Sequence, residues 1–270
     1  YALEHGLPVL QPVKMKDPEF VEQLREYNAD LQVVVAFRML PEVIWDMPRF
    51  GTFNVHAALL PQYRGAAPIN WAVINGETKT GVTTFFLDHD IDTGRIIMQR
   101  EFPIPDDADV EYVYDGLMEL GAGICQDTVD LVISTDGNVP SQPQREDIEL
   151  KAAPKIFKET CQIDWNNNAK RIYDFVRGLS PYPGTWTTLA SNSETEKTEA
   201  SIIKIFKTCK TGINCNGTAP GTMKTENTKL MVAANDEWLD IVELQAAGKK
   251  RMAARDFLNG FKHITDMHMK

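Results

Sequence analysis

Asn54 and His56 are the two residues whose types and spacing most clearly suggest chemistry. They lie two positions apart in an otherwise apolar segment, residues 53–72, FNVHAALLPQYRGAAPINWA. Alternate side chains share one face of a β-strand, so in a strand over 51–56 both would point the same way. We predict that this strand is covered on both faces and that the pair lies at its carboxyl end, where open α/β sheets bind ligands. The alternative is a structural pair whose polar atoms are satisfied by loop backbone.

A second polar segment, LDHDIDTG at residues 87–94, follows the next predicted strand, 81–87. Because its carboxyl end should neighbour that of strand 51–56, we expect Asp92 to meet His56 there. An amide, an imidazolium and a carboxylate together suit acyl transfer without a covalent nucleophile. The amide donates to the acyl oxygen, the imidazolium stabilises the developing oxyanion, and the carboxylate keeps His56 charged or relays a proton. The segment lacks a nucleophilic Ser or Cys, which disfavours a hydrolase triad, and its scattered carboxylates with one His make a poor zinc site, so we expect no metal.

The first 135 residues alternate strand and helix patterns. Strands are predicted at 31–37, 51–56, 81–87 and 95–104, and helices begin at Pro18, Pro41, Pro68 and Val110. This alternation predicts a doubly wound, mostly parallel α/β sheet of the Rossmann-like kind. Residues 1–5 are typical of the tail of a helix, so we expect the first part of this domain to lie upstream of Tyr1. No dinucleotide or P-loop fingerprint is present.

The second half of the chain has a different pattern. Residues 136–158 are polar and contain three prolines, which is typical of a linker. A helix near 169–179 then precedes several short strand patterns, which favour a small β-barrel of the OB type or a sandwich. The predicted division is therefore a catalytic domain at 1–135, a linker at 136–158 and a β-barrel at 159–270.

The charge is unevenly distributed between the halves. The net charge is −10, but residues 151–270 carry a balance of +5 and residues 1–150 one of −15. A polyanionic partner is therefore possible only for the second half, although unequal decoration of two solvated surfaces explains the same numbers. No apolar run is long enough to span a membrane, no signal peptide opens the chain, and the four cysteines are scattered. We expect a cytoplasmic protein with reduced thiols.

Residues 54–94 combine N-x-H, LLPxxRGxxP and D-x-G, a pattern that resembles the signature of 10-formyltetrahydrofolate-dependent formyltransferases. The similarity continues through residues 33–41, 153–166, 172–186 and 244–260. The last three segments resemble the linker and C-terminal domain of the tRNA-directed members. Purine-pathway and sugar formyltransferases share only the catalytic half. The resemblance implies formyl transfer from 10-formyltetrahydrofolate to the amino group of methionyl initiator tRNA.

The resemblance also implies roles for individual residues. Asn54 and His56 would grip the formyl oxygen, while Asp92 keeps His56 protonated. The pterin would lie against backbone at Arg38, Met39 and Leu40 and at Asp88, His89 and Asp90, and the tetrahydrofolate beside Ala58, Leu59, Leu60 and Pro61. Ala58 departs from the family, which usually has Ser there.

Basic residues of the second half are candidates for the tRNA backbone. The candidates are Lys249, Lys250, Arg251 and Arg255, of which the resemblance favours Lys249 to Arg251. Lys204, Lys207 and Lys210 are interpreted as a solvated face. We expect a monomer that does not bind membranes. Two alternatives stay open: a folate-dependent formyltransferase acting on a small amine such as an amino sugar, and a folate- or RNA-binding module without catalysis.

Overall fold

The computed structural model describes residues 1–35, 39–191, 201–261 and 264–270. Arg38, predicted to contact the pterin, lies outside these residues. The α-helices are α1 (Pro18–Glu26), α2 (Glu42–Trp45), α3 (Pro68–Ile74), α4 (Val110–Ser134), α5 (Ala169–Gly178) and α6 (Ala254–Gly260), with short 3-10 helices at Glu159–Cys161 and Ile264–Asp266. The strands are β1 (Gln32–Val34), β2 (Thr52–His56), β3 (Arg64–Gly65), β4 (Lys79–Phe86), β5 (Ile96–Pro103), β6 (Ala152–Ala153), β7 (Thr185–Ser191), β8 (Ser201–Asn214), β9 (Met223–Glu226), β10 (Lys229–Ala233), β11 (Glu237–Ala246), β12 (Met252–Ala253) and β13 (Met267–Met269).

By its internal contacts the chain divides into two compact units. One comprises residues 1–65, 81–101 and 117–152, and the other comprises residues 66–80, 102–116 and 153–270. The predicted boundaries at 135 and 158 stay a prediction. Among the described residues, no helix is long and apolar enough to cross a membrane.

The first unit contains a sheet with the strand order β1-β2-β4-β5. β1 pairs with β2 in parallel, and β2 pairs with β4 antiparallel, with Phe53 opposite Phe86 and His56 opposite Thr83. The predicted α/β class is confirmed, but the direction of β4 differs from expectation. Its carboxyl end lies beside the start of β2, where the amide of Leu87 donates to the carbonyl of Thr52 at 2.8 Å.

Helix α4 covers this sheet near the middle of β2 and β4. The hydroxyls of Thr84 and Thr128 are hydrogen-bonded at 2.9 Å, and both side chains are fully buried. A Cβ built on Gly121 would lie 3.7 Å from Val55, which is ordinary van der Waals contact. β2 is therefore covered by a helix and paired on both edges, which fixes the direction of its side chains.

The second unit contains a nearly closed antiparallel barrel. Its strand order is β13-β7-β8-β11-β10-β9, with β12 paired to β11. A bridge between Thr222 and His268 joins the β13 end of the sheet to the chain that enters β9. Apolar side chains from α5, α6 and the strands fill the interior, among them the fully buried Ile205, Leu230 and Leu239. The predicted barrel is confirmed.

Substitution of two glycines of the first unit by alanine should have opposite effects on the stability of the protein. A Cβ on Gly94 would lie 1.7 Å from the carbonyl oxygen of Phe86, so Gly94→Ala must move backbone and should lower the free energy of unfolding by about 1–3 kcal/mol. Gly121 lies inside α4 with room for a methyl group, so Gly121→Ala should raise it by up to about 1 kcal/mol. Chemical denaturation checks both values, and a neutral Gly94→Ala would contradict the close approach.

Candidate functional site

Asn54 and His56 lie on β2, the strand paired on both edges. The strand runs from Thr52 to His56, so His56 is its last residue, as predicted. Their relative exposures are 4% and 6%, and their spacing puts both side chains on one face. The sequence of alternating polar and apolar residues thus places an amide and an imidazole inside the protein, where each needs a polar partner.

His56 contacts polar groups through both ring nitrogens. Its Nε2 lies 3.0 Å from the carbonyl oxygen of Tyr63, and its Nδ1 lies 4.0 Å from Oδ2 of Asp92. A carbonyl can only accept a hydrogen bond, so Nε2 carries a proton and donates a hydrogen bond to the carbonyl oxygen of Tyr63. In the neutral ring, Nδ1 is therefore the basic nitrogen, and it faces a carboxylate.

Asp92 reaches His56 although the reason given by the sequence was wrong. The antiparallel β4 ends at the far end of β2, so residues 87–94 fold back to bring Asp92 to His56. Asp92 is 8% exposed and has a φ of 56°, in the left-handed region that L-residues seldom adopt. Its Oδ2 accepts a hydrogen bond of 2.9 Å from the backbone N–H of Gly65.

Burial determines the charge of His56. Desolvation lowers the pKa of His56 below its ordinary value, while the Asp92 carboxylate and the carbonyl of Tyr63 act in the opposite direction with smaller effect. The resting imidazole is therefore neutral. This differs from the expectation that Asp92 keeps His56 protonated, because the cost of burying a charged ring exceeds the attraction of a carboxylate 4.0 Å away.

Asn54 has a side-chain oxygen without a partner. Among the described residues its Oδ1 is buried and accepts no hydrogen bond. Leaving a buried polar atom unsatisfied costs about 1–3 kcal/mol, which a bound ligand could recover. Rotation of the amide by 180° exchanges its oxygen and its NH₂ group, so either an acceptor or a donor can face that position.

The segment Ala58–Leu60, predicted to line the folate, is anchored by Thr83 on β4. The Thr83 hydroxyl donates to the carbonyl of Ala58 at 2.6 Å and accepts from the amide of Leu60 at 3.1 Å. Gln99 donates to the carbonyl of Leu60 and to Thr83, both at 2.9 Å. Ala58 and Leu60 are buried, and Leu59 and Pro61 are half-buried. No sequence pattern indicated these contacts of Thr83 and Gln99.

The other residues predicted to contact the cofactor lie at the surface. Met39 is 70% exposed and Leu40 half-buried, and Asp88, His89 and Asp90 are exposed. The Nε2 of His89 lies 3.8 Å from Oε1 of Glu42. The His89 ring is edge-on to that of Trp45, with the ring centroids 5.3 Å apart. The structure therefore links the 88–90 loop to α2, the helix that follows residues 39–40.

The predicted basic residues lie between β11 and the end of α6. Lys249 and Lys250 are exposed in the turn before β12. Arg251 is paired with Glu243 and lies over the ring of Phe206, 4.5 Å from its centroid, and Arg255 lies 3.6 Å from Asp256. Lys204 and Lys207 on β8 are register partners of Gln245 and Glu243, so they flank this group. Lys210 lies apart, 2.5 Å from Asp106.

A titration tests the charge of His56. NMR should give a pKa for His56 below its usual value of about 6.5, and Asp92→Asn should lower this pKa further because the variant loses the charge that favours the imidazolium. Asp88→Asn, at an exposed position, should leave it unchanged. The unfolded chain binds this proton more tightly, so the contribution of His56 to stability should be lost as pH falls from about 6.5 through the lowered pKa. A His56 pKa above its usual value would contradict this account.

Comparisons with known proteins show the family to which this chain belongs. Residues 2–129 match the family model described as formyl transferase, and residues 155–262 match the model of its C-terminal domain. The chain is 57% identical to the methionyl-tRNA formyltransferase of Parabacteroides distasonis in an alignment of 270 positions, which covers 98% of this chain and 82% of the relative.

Solved structures share the fold at lower identity. HypX from Aquifex aeolicus, in complex with tetrahydrofolic acid, has a TM-score of 0.61 at 20% identity and covers 91% of this chain and 41% of its own. WlaRD, described as a sugar 3N-formyl transferase, has a TM-score of 0.64 at 18% identity and covers 92% of this chain and 81% of its own. These likenesses concern the fold, whereas the relative at 57% identity identifies the family. The chain belongs to the methionyl-tRNA formyltransferase family.

Proposed function

We propose that this protein transfers the formyl group of 10-formyltetrahydrofolate to the amino group of methionyl initiator tRNA in the cytoplasm, supplying formylmethionyl-tRNA for translation initiation. The observation that carries the proposal is the buried set of Asn54, His56 and Asp92. Among the described residues the Oδ1 of Asn54 accepts no hydrogen bond, and the Nδ1 of His56 lies 4.0 Å from the Asp92 carboxylate. This set suits acyl transfer to an amine directly, because it binds an acyl oxygen and moves a proton without a covalent nucleophile. The identity of the amine follows from the relatives.

Asn54 binds the formyl oxygen in this proposal. The amide is turned so that its NH₂ group takes the place of the unpaired Oδ1. It then donates a hydrogen bond to the formyl oxygen, on which negative charge develops as the amine attacks the formyl carbon. A donor fixed on a central strand needs little reorganisation, which is how such groups lower a barrier. The Nε2–H of His56 is donated to Tyr63, so the structure supports Asn54 more directly than His56 as the oxyanion donor.

His56 and Asp92 move the proton in this proposal. A C–N bond forms between the attacking amine and the formyl carbon, and the bond from that carbon to N10 of the folate breaks. The Nδ1 of His56 takes up the proton that the amine loses. The Asp92 carboxylate that faces Nδ1 stabilises the resulting imidazolium. The same proton then passes to N10, directly or through water, and leaves with the tetrahydrofolate. His56 returns to its neutral form.

Folate binding is proposed for the surfaces next to this set. The anchored segment from Ala58 to Pro61 offers apolar side chains directly after His56 in the chain. Met39 and Leu40, with Asp88, His89 and Asp90, offer backbone groups for the pterin, to which the resemblance adds Arg38. The methyl side chain of Ala58 makes no polar contact, so a hydroxyl contact at this position is lost in this chain or was never essential for the reaction.

The tRNA backbone is proposed to bind at the exposed cations of the β11–β12 turn and α6. Lys249 and Lys250 are exposed, whereas Arg251 also forms an ion pair and a ring contact that hold its guanidinium in place. Arg255 adds a further cation on α6. The charges of Lys204 and Lys207 lie alongside this turn.

Direct assay tests the acceptor. Incubation with 10-formyltetrahydrofolate should formylate methionyl initiator tRNA and leave an amino-sugar nucleotide unchanged. His56→Ala should reduce the rate by about a hundredfold or more, because it loses the group that moves the proton. Asp130→Asn, at an exposed position of α4, serves as the control and should retain most activity. Faster formylation of the amino sugar would favour the alternative acceptor, and near-normal turnover by His56→Ala would contradict the mechanism.

Salt dependence tests the basic surface. Replacing Lys249 and Lys250 by Ala should weaken tRNA binding and reduce the slope of log K against log salt by up to about two, one for each lost phosphate contact. Lys224 and Lys229, on β9 and β10 of the same barrel, provide a control with the same loss of charge. Equal slopes for both double variants would remove Lys249 and Lys250 from the tRNA surface.

A further inference from the structure

We infer that Gln144 is a positioning residue for formyl transfer, which holds the backbone of Asp92 so that its carboxylate faces His56. This role rests on the proposed function. Gln144 lies in the segment predicted as a linker, outside every motif that the sequence singled out. It belongs to the same compact unit as Asn54, His56 and Asp92.

The side chain of Gln144 uses both ends of its amide. Its Nε2 donates to the carbonyl of Asp92 at 2.7 Å and to the carbonyl of Gly94 at 2.9 Å. Its Oε1 accepts from Nε and Nη2 of Arg64 at 3.1 and 2.7 Å. Two N–H groups and two lone pairs are the whole capacity of a glutamine side chain. The four contacts therefore fix the amide in one orientation, with its donors toward the Asp92 loop.

The Asp92 loop needs such an anchor. Asp92 has a left-handed backbone, which costs free energy for a residue other than glycine, and the loop must fold back from the end of β4 to reach His56. Gly65 holds the carboxylate of Asp92 from one side, and Gln144 holds its carbonyl from the other. Arg64, the neighbour of Gly65, orients Gln144. Adjacent residues of β3 thus contribute to both anchors.

Gln144 is itself held by the sheet. Two residues earlier, Gln142 exchanges backbone hydrogen bonds of 2.8 and 2.9 Å with Ile96 at the start of β5. This pairing extends the edge of the sheet beyond β5 and fixes the position of Gln144 relative to the Asp92 loop. The two groups that accept hydrogen bonds from Gln144 are carbonyl oxygens, so a side chain at this position must carry a hydrogen-bond donor. A glutamate there could still bind Arg64 but would face the two carbonyls with an acceptor.

Two variants test the role, each with a control in the same segment. Gln144→Met removes the hydrogen bonds without adding charge, and Gln144→Glu keeps a partner for Arg64 but removes the donors. We expect kcat for formylmethionyl-tRNA to fall about ten- to a hundredfold in both, with KM for either substrate changed less than about threefold, because the loss lies in orientation. Gln142→Met and Gln142→Glu change an exposed side chain and should match the parent.

The pKa of His56 gives a readout that is independent of turnover. Asp92 is the charged group that the described residues place beside His56, with the Tyr63 carbonyl and the Phe85 ring on other sides. If Gln144→Met releases the Asp92 carboxylate, the His56 pKa should fall below that of the parent, and Gln142→Met should leave it unchanged. An unchanged His56 pKa with kcat within twofold of the parent would overturn the inference. If the parent itself formylates no methionyl-tRNA, the proposed function fails while this titration still decides the role of Gln144.

Discussion

The contact between the Asp92 carboxylate and the His56 imidazole is the interaction on which the rest of the site depends. Both groups are buried and lie 4.0 Å apart, so the Asp92 carboxylate acts directly on the His56 ring. Burial keeps the ring neutral at rest, and the carboxylate makes the imidazolium accessible once a proton arrives. In the proposed reaction a permanently charged His56 could not accept the proton of the attacking amine, and Asp92 supplies the charge that favours the imidazolium.

The direction of one strand explains how this contact is built. Because β4 runs antiparallel to β2, the chain leaves β4 at the wrong end of the site and must return. The return loop accepts a left-handed backbone at Asp92 and a glycine packed against the carbonyl of Phe86. Its two anchors, Gly65 and Gln144, come from distant parts of the chain. Hydrogen bonds to the return loop thus place Asp92 beside His56, whereas a parallel strand would have placed it there directly.

Much of the fold and the composition of the site could be predicted from the sequence. The strand and helix patterns located β2, α4 and α5 to within about two residues, and the spacing of Asn54 and His56 indicated their shared face. Local patterns carry no information on strand direction, so Asp92 was placed correctly for a wrong reason. The charge of His56 depends on burial, and Gln144 contacts a residue 52 positions away along the chain, so neither could be predicted from its neighbours in sequence.

The central claim is that His56 and Asp92 act as one unit in moving a proton during formyl transfer. A double-mutant cycle on single-turnover formylation of methionyl-tRNA, with His56→Ala, Asp92→Asn and the combined variant, tests it most directly. Removing the second member of a unit costs little once the first is gone. The account therefore predicts that the combined variant is about as slow as His56→Ala alone. Losses that multiply would show that the two residues act independently and would contradict it.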